Sequence, residues 1–565
     1  MSLAPQGPRH ATPTLRVLDH DVEVTNLRDL ISTQSRLGKK PLLICGEETL
    51  TYEDADLQSS RIANQLIGLG VTKGDVVGTL MYNSVAQLLI WFACAKVGAI
   101  YAPLNVSLVK TDLTYSLNDI APKVFVVDTG LLDVYETCLP DLPVRPIEVA
   151  HDTGERGPGK RMCFPDLLRG DGSLPDVDVQ ATDPAAIVYT GGSTSMPKGV
   201  LVPHFYYIAA ALRYREVVRP LPDDVHYANS HFFHVGGQQL GIAGPLYNGI
   251  TGVMSRWFSA SRYWDEVRRQ NVSIIDPLGT MLAALMRQPQ SELDREHRVR
   301  VGVAIASGQV RRDIRDGFER RFNVPLLEVY SMTELGIMVF SERIDDRRSP
   351  SAGRTHGWAD VSIVDDQDFP VPSGVVGQIL LRPRSPNSSM IRYINKGDET
   401  IAAWRSGWYH TGDLGSVDDD GYLYFTGRQA HWIRRRGENV AAFEIEKVLS
   451  AHPAVIDCAA VGVPAELGEE DIKVYVHLET DRTNLDPQEL IDWCREQIAA
   501  FKVPRYVEYV DSLPRTLTKS EVARHDLRDR GVGHAWDREH DGDGNDRRTQ
   551  LTRRSPPTAA APDGK

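Results

Sequence analysis

Apolar and polar positions along the chain alternate between two periods. In LTYEDADLQSSRIANQLIGLG, residues 50–70, the spacing predicts a helix capped by Thr51, with Leu57, Ile62 and Leu66 on one apolar side and Gly70 closing it. DVVGTLMYN, PKVFVVD and AAIVYTGG are short, almost continuously apolar runs, each near a helical segment, and read as buried strands. Strands alternating with helices predict an α/β fold with a parallel sheet covered on both faces. No internal repeat is visible.

From about residue 429 the texture changes. AAFEIEKVLSAHPAV reads as a short helix with Ile445, Val448 and Leu449 on one side, ending near Pro453. CAAVGVP, DIKVYVHLE and YVEYVDS read as strands, with PQELIDWCREQIAAF a helix between them. This predicts a small α+β domain of about one hundred residues. Beyond Arg530 the chain is polar and rich in Gly and Pro, which predicts a disordered tail.

Composition narrows the function. A chain of 565 residues is too long for one ordinary core, so at least two domains are expected. With 42% hydrophobic and 25% charged residues it is an ordinary soluble composition. A net charge of −13 argues against nucleic-acid binding. The N-terminus lacks the apolar core of a secretory signal, and LLIWFACAKVGAIYAPL is broken by Lys96, Gly98 and Pro103, so no membrane span is expected. Six cysteines without a C-x-x-C pair fit reduced thiols, and a cytoplasmic location is expected.

The chemistry centres on YTGGSTSMPKGV, residues 189–200. It resembles a phosphate-holding loop but not Walker A, since Pro197 precedes Lys198 and Gly199 follows it. Gly191 and Gly192 let backbone N–H groups approach an anion, Thr190, Ser193, Thr194 and Ser195 offer hydroxyls, and Lys198 adds charge. Alone, the segment has a second reading as a polar strand-to-turn connection.

Three more segments, in order and spacing, give the loop its meaning: VYSMTELG (329–336), GWYHTGDLG (407–415) and GRQAHWIRRRGENVAAFEIEKVL (427–449). Together they resemble the adenylate-forming superfamily of acyl-CoA synthetases, adenylation domains and luciferases, over roughly residues 25–530. RRRGENVAAFEIE, FFHVGG and WDRE are closest in texture to carnitine/crotonobetaine–CoA ligases. The resemblance implies a large N-terminal α/β domain and a small mobile C-terminal α+β domain. The expected division is a flexible segment 1–24, an AMP-binding domain 25–428, a lid 429–530 and a tail 531–565.

By resemblance, Thr190, Ser193, Thr194 and Lys198 handle the β,γ-phosphates of ATP, Thr333 meets the α-phosphate and Glu334 holds Mg²⁺. Asp413, assisted by Arg428, binds the ribose hydroxyls; Tyr330, Ser307 and Gly308 flank adenine; His234 borders the acid. The acid pocket is expected around His234–Gly237 and Ser307–Gly308, with Gly236 and Gly237 leaving room and Ser331 and Met332 nearby. CoA is the implied acceptor, with a small-molecule acid and ATP as partners and neither nucleic acid nor membrane. Taken singly, Asp413 also reads as a turn cap, Glu334 as a helix cap, His234 as a core histidine, and Arg434–Arg436 as a solvated basic face rather than a CoA phosphate contact.

Three departures stand out. The loop hydroxyls are redistributed as Gly191-Gly192-Ser193-Thr194-Ser195, and the hinge carries Ala430 followed by His431. In LPRTLTKSEVARHDLRDRG, counting from Pro514 puts Ser520 at the family's catalytic lysine position, and counting back from Leu527 and Arg528 puts Glu521 there. Only a local shift makes Lys519 that lysine. This broken loop keeps two other readings in view: an ATP-dependent diazotase of secondary metabolism that activates nitrite toward an arylamine, and a non-catalytic nucleotide-binding homologue.

Overall fold

The computed structural model describes residues 15–151, 161–190, 197–305, 312–428, 431–435, 438–465, 470–479, 485–515 and 522–541. Residues up to Phe425, apart from Gly412–Leu414, form one compact unit; Gly412–Leu414 and the chain from Thr426 form a second.

The first unit is built on two eight-stranded sheets of like design. One runs, in spatial order, Arg392–Tyr393, Lys198–Pro203, Pro184–Thr190, Ile100–Pro103, Val76–Leu80, Val124–Asp128, Ile147–His151, Met162–Cys163. The other runs Gly336–Ser341, Leu326–Met332, Val301–Ile305, Ile274–Ile275, Val225–Ala228, Thr251–Met254, Pro41–Cys45, Glu48–Thr51. Each has a parallel centre; the second has an antiparallel strand at both ends, the first only at the Arg392–Tyr393 and Lys198–Pro203 end, since Ile147–His151 and Met162–Cys163 pair parallel. A third sheet joins Ala359–Val364, Gly377–Pro383, Tyr409–Val417 and Leu423–Arg428.

The apolar run expected not to cross a membrane becomes the helix Val85–Val97, buried from Ala86 to Val97. It contacts strands of both eight-stranded sheets, which explains why it has no polar face. Its one charge, Lys96, donates to Asp56 Oδ1 (2.6 Å) and Ser60 Oγ (2.8 Å). Among the described residues no helix is long and apolar enough to span a membrane. All six cysteines are free thiols, and five are buried.

Helix Tyr52–Gly68 begins as expected: Thr51 accepts from the Asp54 N–H (3.1 Å), and Gly70, at φ +84°, ends it. Ile62 and Leu66 are buried, but Leu57 is 41% exposed. Five residues advance a helix by about 140° beyond a full turn, so Leu57 cannot share their side.

In the second unit a sheet of Val455–Pro464, Glu470–Leu478, Tyr506–Tyr509 and Trp536–Asp537 packs with helices Ala442–Leu449, Pro487–Gln497 and Arg524–Asp529. Two expected boundaries need correction. Leu15–Val17 and His20–Val22 pair as a hairpin, so the flexible segment expected over 1–24 is structured from residue 15. The tail expected from residue 531 is structured to residue 541: Trp536 packs on the core and Arg505 pairs with Asp537 (3.1 Å). Lys473 Nζ also donates to the Gly531 (2.8 Å) and Val532 (3.0 Å) carbonyls, and Val532 and Ala535 pack against the core, so contacts distant in sequence hold this polar, Gly-rich stretch.

Candidate nucleotide and acid site

In parallel sheets the loops at the carboxyl ends of the strands gather ligands. Thr190 ends Pro184–Thr190, His234 follows Val225–Ala228, and Thr333–Glu334 follow Leu326–Met332. Thr190 and Lys198 are direct Cα partners across an antiparallel pair, which fixes both ends of the loop between them. Ser193 and Thr194 lie outside the described residues, as do Ser307 and Gly308. Gly199 has a packing reason: a Cβ there would meet the Ile394 side chain at 2.8 Å.

Thr333 and Glu334 sit in the turn between Leu326–Met332 and Gly336–Ser341, so Glu334 is not a helix cap. The turn is pinned from three directions. Tyr206 donates its hydroxyl to the Thr333 carbonyl (2.7 Å), Met390 its N–H to the Glu334 carbonyl (2.7 Å), and Arg213 Nη1 to the Leu335 carbonyl (3.1 Å). Gly336 closes it at φ +86°, where a Cβ would stand 2.6 Å from Arg213 Nη2.

Glu334 is half-buried, and Oε1 accepts from the Tyr393 hydroxyl (2.8 Å). Lys198 Nζ lies 4.9 Å from the centre of the same Tyr393 ring. One tyrosine therefore joins the cation at the loop mouth to the carboxylate of the turn. Burial first, then the charge of Glu334, drives the Tyr393 phenol pKa far up, so it stays a donor. Tyr393 carries no motif signal: it lies in the two-residue strand Arg392–Tyr393, and only its pairing with Val200–Leu201 brings it here.

No described residue takes a hydrogen bond at Glu334 Oε2, and no three His, Cys, Asp or Glu side chains among the described residues cluster as a metal cage. One carboxylate with an open oxygen suits Mg²⁺ that arrives with phosphates, since that ion keeps few protein ligands. Tyr330 is buried against Phe340 and Phe425 (ring centres 5.8 and 6.0 Å). Ser331, expected near the acid, accepts the Met338 N–H (3.0 Å) and so closes the hairpin.

The His234 segment is an aromatic cluster: His231 stacks 4.8 Å from Phe233, and Phe233 meets His234 tilted, with ring centres 4.5 Å apart. Burial lowers the pKa of His231, favouring the neutral ring. Gly237 does not leave room for a substrate as expected. A Cβ there would stand 2.2 Å from the His231 carbonyl oxygen, so the glycine admits backbone instead.

At the root of this segment Asp276 is fully buried, and its Oδ1 accepts from the Asn229 N–H (2.8 Å) and Nδ2 (3.1 Å). Its Oδ2 lies 3.9 Å from His226 Nε2, and neither atom has a hydrogen-bond partner. Burial outweighs the Asn229 bonds and raises the carboxyl to about 8. An unfolded chain releases that proton near pH 4, so between about pH 4 and 8 stability falls as pH rises, by at most about 1.4 kcal/mol per pH unit. Asp276→Asn keeps the acceptor and carries no charge. It is expected to raise the unfolding temperature at pH 7.5 and to do so less at pH 5, as thermal melts at the two values would read.

In the second unit, Arg428 Nε stands 3.5 Å from Asp413 Oδ1, with Asp413 in the strand Tyr409–Val417 rather than in a turn. Arg435 is not part of a solvated face: it is buried, bonded to Asp471 Oδ1 (2.9 Å) and to the Phe501 (3.1 Å) and Val503 (2.9 Å) carbonyls. Lys519, Ser520 and Glu521 lie outside the described residues, as does Ala430; Arg515 and Val522, on either side of 516–521, face each other in an antiparallel bridge.

Comparison with known proteins shows the family and the fold. A family model described as AMP-binding enzyme matches residues 32–390, and one described as AMP-binding enzyme C-terminal domain matches 444–519. A crotonobetaine/carnitine–CoA ligase from Salmonella choleraesuis (strain SC-B67) is 32% identical over 477 residues, 82% of this chain and 90% of that one. The counterpart from Salmonella paratyphi B (strain ATCC BAA-1250 / SPB7) is 31% identical over 487 residues. Among solved structures, an anthranilate–CoA ligase in complex with anthranoyl-AMP is 26% identical and superposes with a TM-score of 0.81 over 89% of this chain and 96% of that one. An O-succinylbenzoate–CoA synthetase from Bacillus subtilis in complex with AMP shares the fold, with TM-score 0.78, 23% identity and coverage of 90% and 99%.

Proposed function

The chain belongs to the AMP-binding enzyme family and is an ATP-dependent adenylate-forming acyl-CoA ligase; on that premise we propose which residues carry the two half-reactions. The single observation behind the assignment is the Lys198–Tyr393–Glu334 connection, which unites a cation and a carboxylate at the carboxyl ends of two sheets.

In the first half-reaction the carboxylate of a small-molecule acid attacks the α-phosphorus of ATP. The bond to the bridging oxygen breaks, giving acyl-AMP and pyrophosphate. Such a displacement is governed by positioning and charge neutralisation. Lys198, with Thr190, Ser193 and Thr194, takes the β,γ-phosphates, and Thr333 donates to the α-phosphate. Glu334 is the residue that would hold Mg²⁺, which when bound supplies further neutralisation of phosphate charge. Asp413 accepts from the ribose hydroxyls with Arg428 beside it, Tyr330, Ser307 and Gly308 flank adenine, and His234 borders the acid. Lys519 is the candidate cation for the developing α-phosphate charge. In the second half-reaction the CoA thiol attacks the acyl carbon, and AMP leaves.

The diazotase and the non-catalytic homologue find no support among the relatives. The direct test is AMP release from ATP and Mg²⁺ with crotonobetaine, anthranilate, benzoate and o-succinylbenzoate, with and without CoA, beside wells holding nitrite and an arylamine. AMP that depends on an acid, with a thioester formed only when CoA is present, is expected. Release that depends on nitrite and ignores CoA would overturn the assignment.

A further inference from the structure

Asn83 follows the strand Val76–Leu80 of the first sheet and is 5% exposed. Its Oδ1 accepts the Phe232 N–H (2.9 Å), while Nδ2 donates to the Ser255 (3.1 Å) and Ser230 (3.4 Å) carbonyls. Its own carbonyl accepts from the Cys45 thiol (3.4 Å). Ser230 and Phe232 follow Val225–Ala228, Ser255 follows Thr251–Met254, and Cys45 ends Pro41–Cys45, all strands of the second sheet. The side-chain amide thus ties the carboxyl end of a strand in one sheet to the carboxyl ends of two strands in the other, and the main-chain carbonyl reaches a third.

The segment it holds is fixed elsewhere too. Asp276 takes both Asn229 donors, and Gln238 Nε2 donates to the Phe232 carbonyl (2.7 Å). His234 N–H donates to the His231 carbonyl (2.9 Å). The Asn229, Ser230 and Phe232 polar groups named here are met by the buried side chains of Asp276, Asn83 and Gln238, an arrangement that preorganises the aromatic cluster His231–Phe233–His234. The first sheet carries Thr190 and Lys198, the second His234 and Glu334.

We propose that Asn83 is a positioning residue for the acid: by fastening Ser230 and Phe232 across the two sheets it sets where the His231–His234 wall stands relative to the phosphate-side residues. This rests on the reading of that wall as the border of the acid site. An in-line attack tolerates little displacement, and about 1 Å of error costs on the order of 10²-fold. Removing the amide also leaves a buried N–H and two carbonyls without their partner, so the segment has reason to move.

The test uses the full-length enzyme, taking from crotonobetaine, anthranilate, benzoate and o-succinylbenzoate the acid with the highest kcat/KM. Asn83→Ala is expected to lower kcat/KM for that acid by about 10- to 100-fold, with KM for ATP changed less than about twofold. Asn83→Asp, which keeps Oδ1 for the Phe232 N–H and loses both donations, is expected to fall between; it carries the test if the alanine variant does not fold. Val126→Ala, buried in a neighbouring strand of the first sheet, controls for stability and is expected to lower the unfolding temperature without changing acid kcat/KM relative to ATP. Acid and ATP parameters falling in proportion in Asn83→Ala and Asn83→Asp, or neither falling, would overturn the proposal. His234→Ala separates the two readings: a loss of acid kcat/KM there, with none in the Asn83 variants, removes the role of Asn83 alone. No loss in either removes the acid-site reading as well.

Discussion

Glutamine at position 334 is expected to cut acid-dependent pyrophosphate release by about 10²–10³-fold, the usual cost of losing one preorganised stabiliser of reaction charge. The substitution isolates charge from shape. Gln still accepts the Tyr393 hydroxyl that now binds Glu334 Oε1 at 2.8 Å, and the backbone anchors from Tyr206, Met390 and Arg213 do not involve the side chain. What disappears is one negative charge with an open oxygen. At about 4 Å a unit charge pair near a protein surface is worth roughly 4 kcal/mol, enough for the upper end of that range. The Mg²⁺ concentration giving half-maximal rate is expected to rise with it, while the unfolding temperature stays near wild type. Tyr393→Phe is the companion variant. It leaves the charge and removes one bond to a half-exposed carboxylate, so about tenfold is expected, consistent with a charge-assisted hydrogen bond of roughly 1.5 kcal/mol. A Glu334→Gln enzyme within threefold of wild type in both rate and Mg²⁺ dependence would show that another carboxylate does this work.

The contrast between Glu334 and Tyr393 marks where sequence stops being informative. Local devices are legible: Thr51 reaches Asp54 three residues on, and Gly70 takes a positive φ that few other residues accept. Four motifs in order locate the Thr333–Glu334 turn and the Thr190–Lys198 loop, because each is a contiguous run. Tyr393 is 59 positions from Glu334 and acts on it only through a short edge strand, so nothing in MIRYINK announces it. Asn83 is hidden likewise, its partners lying roughly 150 to 170 residues ahead.

The twin eight-stranded sheets are hidden from the sequence for a related reason. What recurs is a parallel centre with an antiparallel edge, on one side of the first sheet and on both sides of the second, which buried Val-, Ile- and Leu-rich strands satisfy in many sequences, so no residue-level repeat is needed. Gly237 shows the converse error. A glycine beside an expected pocket reads as space, whereas the His231 carbonyl occupies that space. Composition misjudged residues 531–541, where Trp536 and the Arg505–Asp537 pair act over some thirty positions of sequence.

The lysine question has the sharpest single outcome. Arg515 and Val522 face one another in an antiparallel bridge, and Lys519, Ser520 and Glu521 are consecutive candidates in the sequence between them. Of the three, only Lys519 can stabilise negative charge developing at the α-phosphate; Ser520 offers a neutral hydroxyl, and Glu521 would repel it. Lys519→Ala is therefore expected to lower acyl-AMP formation by about 10²–10³-fold. The thioester step, started from purified acyl-AMP and CoA, is expected to stay within about fivefold, because there the developing charge leaves with AMP and no pyrophosphate departs. Moving the charge by one residue, in Lys519→Ser with Ser520→Lys, is expected to restore part of the adenylation rate. Near wild-type adenylation in Lys519→Ala, measured as pyrophosphate release under saturating ATP and acid, would exclude Lys519 and leave charge stabilisation at the α-phosphate to another cation of the chain.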